Sequence, residues 1–282
     1  MKKKRLHNYK LWLVPFFTVT ALFLVVPLFL MVTSSFTNGT TGAFTLSNYA
    51  EVFTNAFYYQ SFLNSGVIAL FSSIVGLSFA IIVAYAMTCL PEKIQDKISI
   101  YINIAANFAG VPLAFAFIIL VGNSGAFRLF FDGMNIPFLR EFNLYSWQGL
   151  TITYLYFQIP LGILFIYPSL KKLKKEWKEA ALLLGATNFI YWRKIGLPNI
   201  MPSIAGTFII MFANGMGTYE TAYALTGSNV NLITIRIAAL VSGDIYAQPE
   251  IGSTLAVVFA LIMLLILVTS QTLLKRVRRD LA

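Results

Sequence analysis

One carboxylate and three carboxamides are the residues of this 282-residue chain whose placement could do chemistry. Glu220 is the one acidic residue set inside a long apolar stretch, and Asn107, Gln158 and Asn214 sit within such stretches too. An ionised group in hydrocarbon is costly; it either lies on an ion or solute path, pairs locally, or snorkels to water. Carboxamides there either bond across helices or line a wet pathway. Helical rise puts Asn107, Gln158 and Asn214 at about 12, 16 and 18 Å from the inner face, and Glu220 about 27 Å along its helix, near the outer interface. On a continuous helix Asn214 and Glu220 point about 120° apart. That spacing sets Asn214, more than Glu220, toward a central cavity with Gln158 opposite, and Gly215 and Gly217 are placed to loosen the helix between them.

Other chemistry has no motif to carry it. The sequence contains no G-x-x-x-x-G-K-[ST] phosphate loop, no G-x-S-x-G elbow and no H-E-x-x-H metal site. Gly215-Met216-Gly217 lies inside an apolar span, where a phosphate cradle has no place. A single cysteine, Cys89, forbids an internal disulfide, and a single histidine, His7, leaves no imidazole cluster for a metal. The expectation is no catalytic residue, no metal and no cofactor bound by this chain.

The elements that must position these residues are written in the composition. Hydrophobic residues make up 58% of the chain and charged ones 11%, with a mean hydropathy of +0.74, which is membrane-protein composition. Six stretches, 11–33, 61–89, 99–122, 149–170, 203–224 and 250–273, approach the roughly 20 helical residues needed to cross a bilayer. The expected fold is therefore an all-α integral membrane protein with six transmembrane helices, read as a single domain over 1–282. A net charge of +10 suits nucleic acid or an orientation signal, and the distribution decides. Eighteen of the 21 Lys and Arg residues fall in 1–10, 90–98, 171–201 and 275–282, leaving Arg128, Arg140 and Arg236 in the alternate segments. That alternation predicts both termini and the 171–201 loop on the cytoplasmic side, with no nucleic-acid partner. The basic start is followed by an apolar run longer than a signal peptide's h-region and without an A-x-A-like site, so it reads as the first transmembrane helix.

Residues 179–198, EAALLLGATNFIYWRKIGLP, form the most deliberate local design outside the spans. Glu, Lys, Ala and Leu over 176–184 predict a helix leaving the membrane. Gly185 suits its C-terminal stop, Thr187 suits the cap of a second short helix over 188–194, and Leu197-Pro198 should redirect the chain toward the next span. Phe189, Ile190, Tyr191 and Trp192 are poor choices for a bare solvent-facing loop and call for a partner. An amphipathic helix lying on the membrane surface is the alternative.

Glu179, Ala180, Ala181, Gly185, Ala186, Ile195, Leu197 and Pro198 resemble, in type and spacing, the EAA loop of permease subunits in binding-protein-dependent ABC importers of the type I fold. The six-span layout extends that resemblance over nearly the whole chain. It implies that the loop, about 171–201, is a coupling helix seated on a separate ATPase subunit, which binds ATP and magnesium. It also implies two such ATPases, a second permease subunit, related or identical, an extracytoplasmic solute-binding protein, and residence in a bacterial inner membrane. The family often has Asp before the glycine, where this chain has Leu184. The start VPFFTVTALFLVVPLFLMVTSSF and the FTLSNY segment look most like the polyamine, iron, aminoethylphosphonate and thiamine branch, although sugar permeases share much of that pattern. A polyamine or similar small charged solute is the favoured cargo, with a sugar-importing permease or an ATP-independent secondary transporter as the alternatives.

Overall fold

The computed structural model describes residues 13–133, 142–243 and 247–280; the basic segment 1–10 with His7, and Arg140, lie outside these. Among the described residues the secondary structure is helical, apart from one isolated bridge between Thr37 and Phe44. Helices satisfy their own backbone groups, which hydrocarbon demands of any spanning segment. Six are long and apolar enough to cross a membrane: Leu13–Ser35, Ala56–Thr88, Val111–Phe131, Trp147–Lys171, Asn188–Gly217 and Pro249–Thr272. The number agrees with the sequence reading. The third and fifth differ in detail, because both are interrupted.

In chain order the helices are α1 (Leu13–Ser35), α2 (Ser47–Thr54), α3 (Ala56–Thr88), α4 (Glu92–Asn107), α5 (Val111–Val121) and α6 (Ala126–Gly133). Then follow α7 (Trp147–Lys171), α8 (Lys175–Leu183), α9 (Asn188–Gly217), α10 (Glu220–Thr226), α11 (Ile233–Ser242) and α12 (Pro249–Asp280). The expected span 99–122 is thus two helices, α4 and α5, separated at 108–110. The expected span 203–224 ends at Gly217 and restarts as α10. Wide turns occur in α1 at Ala21–Val25 and in α9 at Trp192–Gly196, each ending two residues before a proline, Pro27 and Pro198. The wider turn, with Val26 N–H on Ala21 O and Leu197 N–H on Trp192 O, absorbs the backbone donor that proline lacks. Pro198 therefore continues the helix rather than redirecting it, a correction to the sequence reading.

Backbone contacts divide the chain into two units. The first comprises 13–59 and the described part of 236–262. In it the Ser35 carbonyl, fully enclosed, accepts from Asn48 Nδ2 (3.2 Å) and Thr254 Oγ1 (3.1 Å), while Ser35 Oγ lies 2.9 Å from the Tyr49 hydroxyl. Asn48 Nδ2 also reaches Thr37 O at 2.9 Å. Phe36 stacks on Phe44 and leans on Tyr49. One residue thus gathers the end of α1, the bridged loop, α2 and the first turns of α12.

The second unit comprises 60–235 and 263–280. Its centre is α7, flanked by α4 and α9, while α10 lies along α5. One core cluster joins Leu113, Leu150, Tyr154, Ala222 and Leu225; another joins Ala80, Ile163, Ile166, Ile200 and Met211. Small residues let these helices approach. A Cβ on Gly162 would lie 2.7 Å from Ala80 Cβ and 3.1 Å from Met211 Sδ, and one on Gly215 would lie 3.1 Å from Ala69 Cβ. Close contact of this kind, rather than a hydrophobic effect, is what holds helices together in lipid.

Candidate functional site

The loop after α7 folds as its residues require. α8 ends at Leu183 with Leu184 as its C-cap, and Gly185 takes φ +82°, a conformation that side-chain-bearing residues avoid. Gly185 N–H then donates to Leu182 O (3.0 Å) and Ala186 N–H to Ala181 O (3.0 Å), the paired closure of a Schellman turn. Thr187 Oγ1 accepts from Ile190 N–H at 3.3 Å and caps the start of α9. The elbow expected from Gly185 and Thr187 is present, but its second helix runs on without a stop into the fifth span.

The surface shown by the elbow differs from the one expected. Leu183 and Leu184 are each 88% exposed and Phe189 70%, with Leu182 and Ile190 also exposed. Tyr191 is only 3% exposed, and Trp192 is half-buried. The Trp192 ring meets Tyr85 edge-to-face at 5.2 Å and covers Gly196, where a Cβ would sit 2.5 Å from it. The aromatic pair is thus an internal brace, and the apolar face left open is Leu183, Leu184 and Phe189. Of the motif residues, Glu179, Ala180, Gly185 and Leu197 are exposed, Ala186, Ile195 and Pro198 half-buried, and Ala181 enclosed beneath the turn. Composition alone could have flagged the three-leucine run beside the glycine; which aromatics turn inward could not be read without Tyr85.

The polar residues of the spans are not gathered at one place. Gln158 is fully enclosed; its Nε2 donates to Met211 O (2.8 Å) and reaches Ser73 Oγ (3.5 Å), while its Oε1 has no partner among the described residues. It lies against Gly215, whose added Cβ would be 3.1 Å from Nε2. The expected arrangement with Gln158 opposite Asn214 across a cavity is not observed, because α3, α7 and α9 close around the glutamine. Asn107 is exposed and bonds within its own helix, to Asn103 O (2.8 Å) and Oδ1 (3.1 Å). Asn214 is exposed, and its carboxamide makes no hydrogen bond among the described residues.

Glu220 moves furthest from its expected place. The helix ends at Gly217, so the 120° relation to Asn214 does not apply, and α10 folds against α5 instead. The two interruptions meet there. Gly110, at φ +75°, donates its N–H to Thr221 Oγ1 (2.9 Å), whose hydroxyl donates in turn to Gly110 O (3.3 Å). Thr218 O accepts from the hydroxyls of Tyr154 (3.4 Å) and Thr234 (3.1 Å). Broken helices survive within apolar surroundings only if freed backbone groups find such partners. The Glu220 carboxylate lies over Gly110, where an added Cβ would sit 2.6 Å from Oε2. Gly110-Val111-Pro112 carried a signal for this break, glycine followed by proline at a helix start, which hydropathy averaging conceals.

Comparison with known proteins bears directly on this arrangement. No family model matches the chain. It is 29% identical over 211 residues to the alpha-glucoside transport system permease protein AglG of Rhizobium meliloti, covering 71% of this chain and 52% of that one. It is 24% identical over 189 residues to the sulfate transport system permease protein CysT of Salmonella typhimurium, covering 64% of each. It is 24% identical over 254 residues to the spermidine/putrescine transport system permease protein PotC of Escherichia coli, covering 89% of this chain and 90% of that one. The chain thus spans about half the length of the first relative and under two thirds of the second. Among solved structures, a bacterial ABC transporter involved in import of the acidic polysaccharide alginate has a chain with TM-score 0.75 at 15% identity, covering 97% and 96%. The MetNI methionine ABC transporter has one with TM-score 0.56 at 16% identity, covering 78% and 93%. The relatives are transport permeases, not enzymes. With six apolar helices and the fold of chains from solved ABC transporters, the chain is similar to permease proteins of transport systems.

Proposed function

We propose that this chain forms one half of the translocation pathway of an ATP-driven importer for a small solute handed over by an extracytoplasmic binding protein. The observation that carries the reading is the Gly185 elbow, which displays Leu183, Leu184 and Phe189 on a loop rich in lysine rather than in lipid-facing residues. Apolar groups presented this way are covered by a protein partner, and the partner fitting an EAA-type loop is an ATPase subunit. Two ATPases, holding ATP and magnesium, would each seat one elbow, with a second permease subunit, related or identical, completing the pathway in a bacterial inner membrane. Both termini and the 171–201 loop would then face the cytoplasm, as the lysine and arginine distribution favours. Closure of the ATPases would move the elbows and rock the helices between inward- and outward-open states.

A small charged solute of the polyamine kind is the favoured cargo, supported by a relative matched over nearly its whole length. A sugar is the second reading, supported by the higher identity of the alpha-glucoside relative. The test is purification of the complex from its native membrane. An ATPase subunit and a solute-binding protein should accompany the chain, and the binding protein's ligand decides the cargo. Purification of the chain with no ATPase, and uptake that survives ATP depletion at a clamped membrane potential, would overturn the importer reading in favour of a secondary transporter.

A further inference from the structure

The junction of the two interrupted spans places the Glu220 carboxylate at the start of α10 and over the Gly110 cap of α5, with no Lys or Arg ion pair to it among the described residues. α4 and α5 together run from Glu92 to Val121, and the last basic residue of that run is Lys97. Gly110 lies 13 residues beyond Lys97 in the sequence, at the break between α4 and α5, where the third candidate span Val111–Phe131 begins. The Glu220 carboxylate lies against Gly110 at that break. The sequence has no Lys or Arg between Lys97 and Arg128, within α7 before Lys171, or between Lys194 and Arg236. α5, α7 before Lys171 and α10 therefore carry no Lys or Arg, and Arg236 of α11, two residues after Thr234, lies over the Phe57 ring. The carboxylate side chain makes no hydrogen bond or ion pair among the described residues, and it is exposed in the single chain. An open carboxylate among apolar helices marks a solute or ion path when it faces water.

The surroundings narrow the kind of cation. Phe108, two residues before Gly110, meets Tyr156 edge-to-face at 6.3 Å, and both rings are partly open. Tyr219, next to Glu220, stacks on Tyr223 at 5.4 Å, and the Tyr223 ring is half open. A carboxylate with partly open aromatic rings on the neighbouring residues of both breaks suits an organic ammonium, which gains charge-assisted hydrogen bonds and cation–π attraction together. Aromatic rings offer little to a small metal ion that keeps its water, and the carboxylate repels anions.

We propose that Glu220, seated on Gly110 where the third and fifth spans are both interrupted, is a recognition point for the ammonium group of a solute crossing this subunit. The proposal rests on the permease reading and commits the pathway to cationic cargo. The place of Glu220 here reverses the sequence-based preference for Asn214 as the main pathway residue.

The test uses the complete complex, with its ATPases and partner permease, in nanodiscs. A hydrophobic carbodiimide adds to carboxyl groups in apolar surroundings, and the adduct is located by peptide mass spectrometry. Glu220 should be labelled. Spermidine should slow that labelling roughly tenfold at about ten times its dissociation constant, as occupancy requires, in at least one of the nucleotide-free and ATP-analogue-bound states. Glucose and sulfate should not. Glu220→Gln should abolish the adduct while the complex still co-purifies, and Glu220→Asp should keep a protectable adduct. An unlabelled Glu220 would refute its place among apolar surroundings; labelling that spermidine leaves unchanged in both states, or that all three solutes slow equally, would refute ammonium recognition. A chain that purifies without an ATPase fails earlier, at the importer reading, before any label is added.

Discussion

Substituting Gly185 isolates the turn of the proposed coupling elbow from every other contact. An added Cβ meets nothing within 4 Å, so no clash contributes. The cost comes from φ +82° alone, and left-handed backbone costs a side-chain-bearing residue about 1–2 kcal/mol. Relaxing that strain means giving up the bonds from Gly185 N–H to Leu182 O and from Ala186 N–H to Ala181 O, each worth about 0.5–1.5 kcal/mol. Gly185→Ala should therefore reduce the population of correctly folded elbows by about 5- to 30-fold relative to competing loop shapes. Gly185→Val should reduce it further, because branching at Cβ disfavours positive φ most. Gly185→Asn should be nearly neutral, since asparagine enters this region readily. The assay is ATPase co-purification with the chain at matched expression, together with ATP-dependent uptake per assembled complex. The expected order is wild type, Asn, Ala, Val. Normal assembly and uptake with valine would refute the elbow as the element that couples the two subunits.

Three further outcomes follow from the geometry. In a Cys89→Ser background, a cysteine at Gly42 should react with an impermeant thiol reagent on intact cells and one at Asn188 should not; the reverse would invert the proposed orientation. Gly162→Ala should destabilise the detergent-solubilised protein by about 1–3 kcal/mol, because its Cβ would press on Ala80 at 2.7 Å, whereas Gly206→Ala, with open space around it, should be neutral or stabilising by up to about 1 kcal/mol, as thermal unfolding would read. Asn214→Leu removes an exposed amide that bonds to nothing described, so assembly should be unchanged while uptake per complex falls; equal uptake would end a pathway role for Asn214.

The spans were legible in the sequence because hydrophobicity is additive along a helix, and six apolar runs survive any averaging. The Gly185 turn was legible because positive φ is a local demand that glycine answers locally. The interruptions at 108–110 and 218–219 were not, because their stability lives in hydroxyls far along the chain: Thr221 for Gly110, Tyr154 and Thr234 for Thr218. Counting residues along an assumed continuous helix then misplaced Glu220, since a chain that leaves its helix at Gly217 no longer rises at a fixed rate. Gln158 failed differently. Its depth was a fair inference, but whether an amide at that depth faces a cavity or a neighbour is set by Gly76, Gly162 and Gly215, which let three helices close over it. Trp192 looked like a docking residue for the same reason: an aromatic side chain declares its appetite for burial but not its direction.

The fastening at Ser35 gives the segment from Phe36 to Thr54 the mechanics of a stiff bracket rather than a leash. Its carbonyl is tied to α2 through Asn48 and to α12 through Thr254, and its hydroxyl to Tyr49. Phe44 and Leu46, standing open on that segment, are thus the free end of a short lever whose fulcrum is one serine. A load applied there, by whatever grips those side chains, reaches the first turns of the last helix within two hydrogen bonds, with little slack to be taken up on the way.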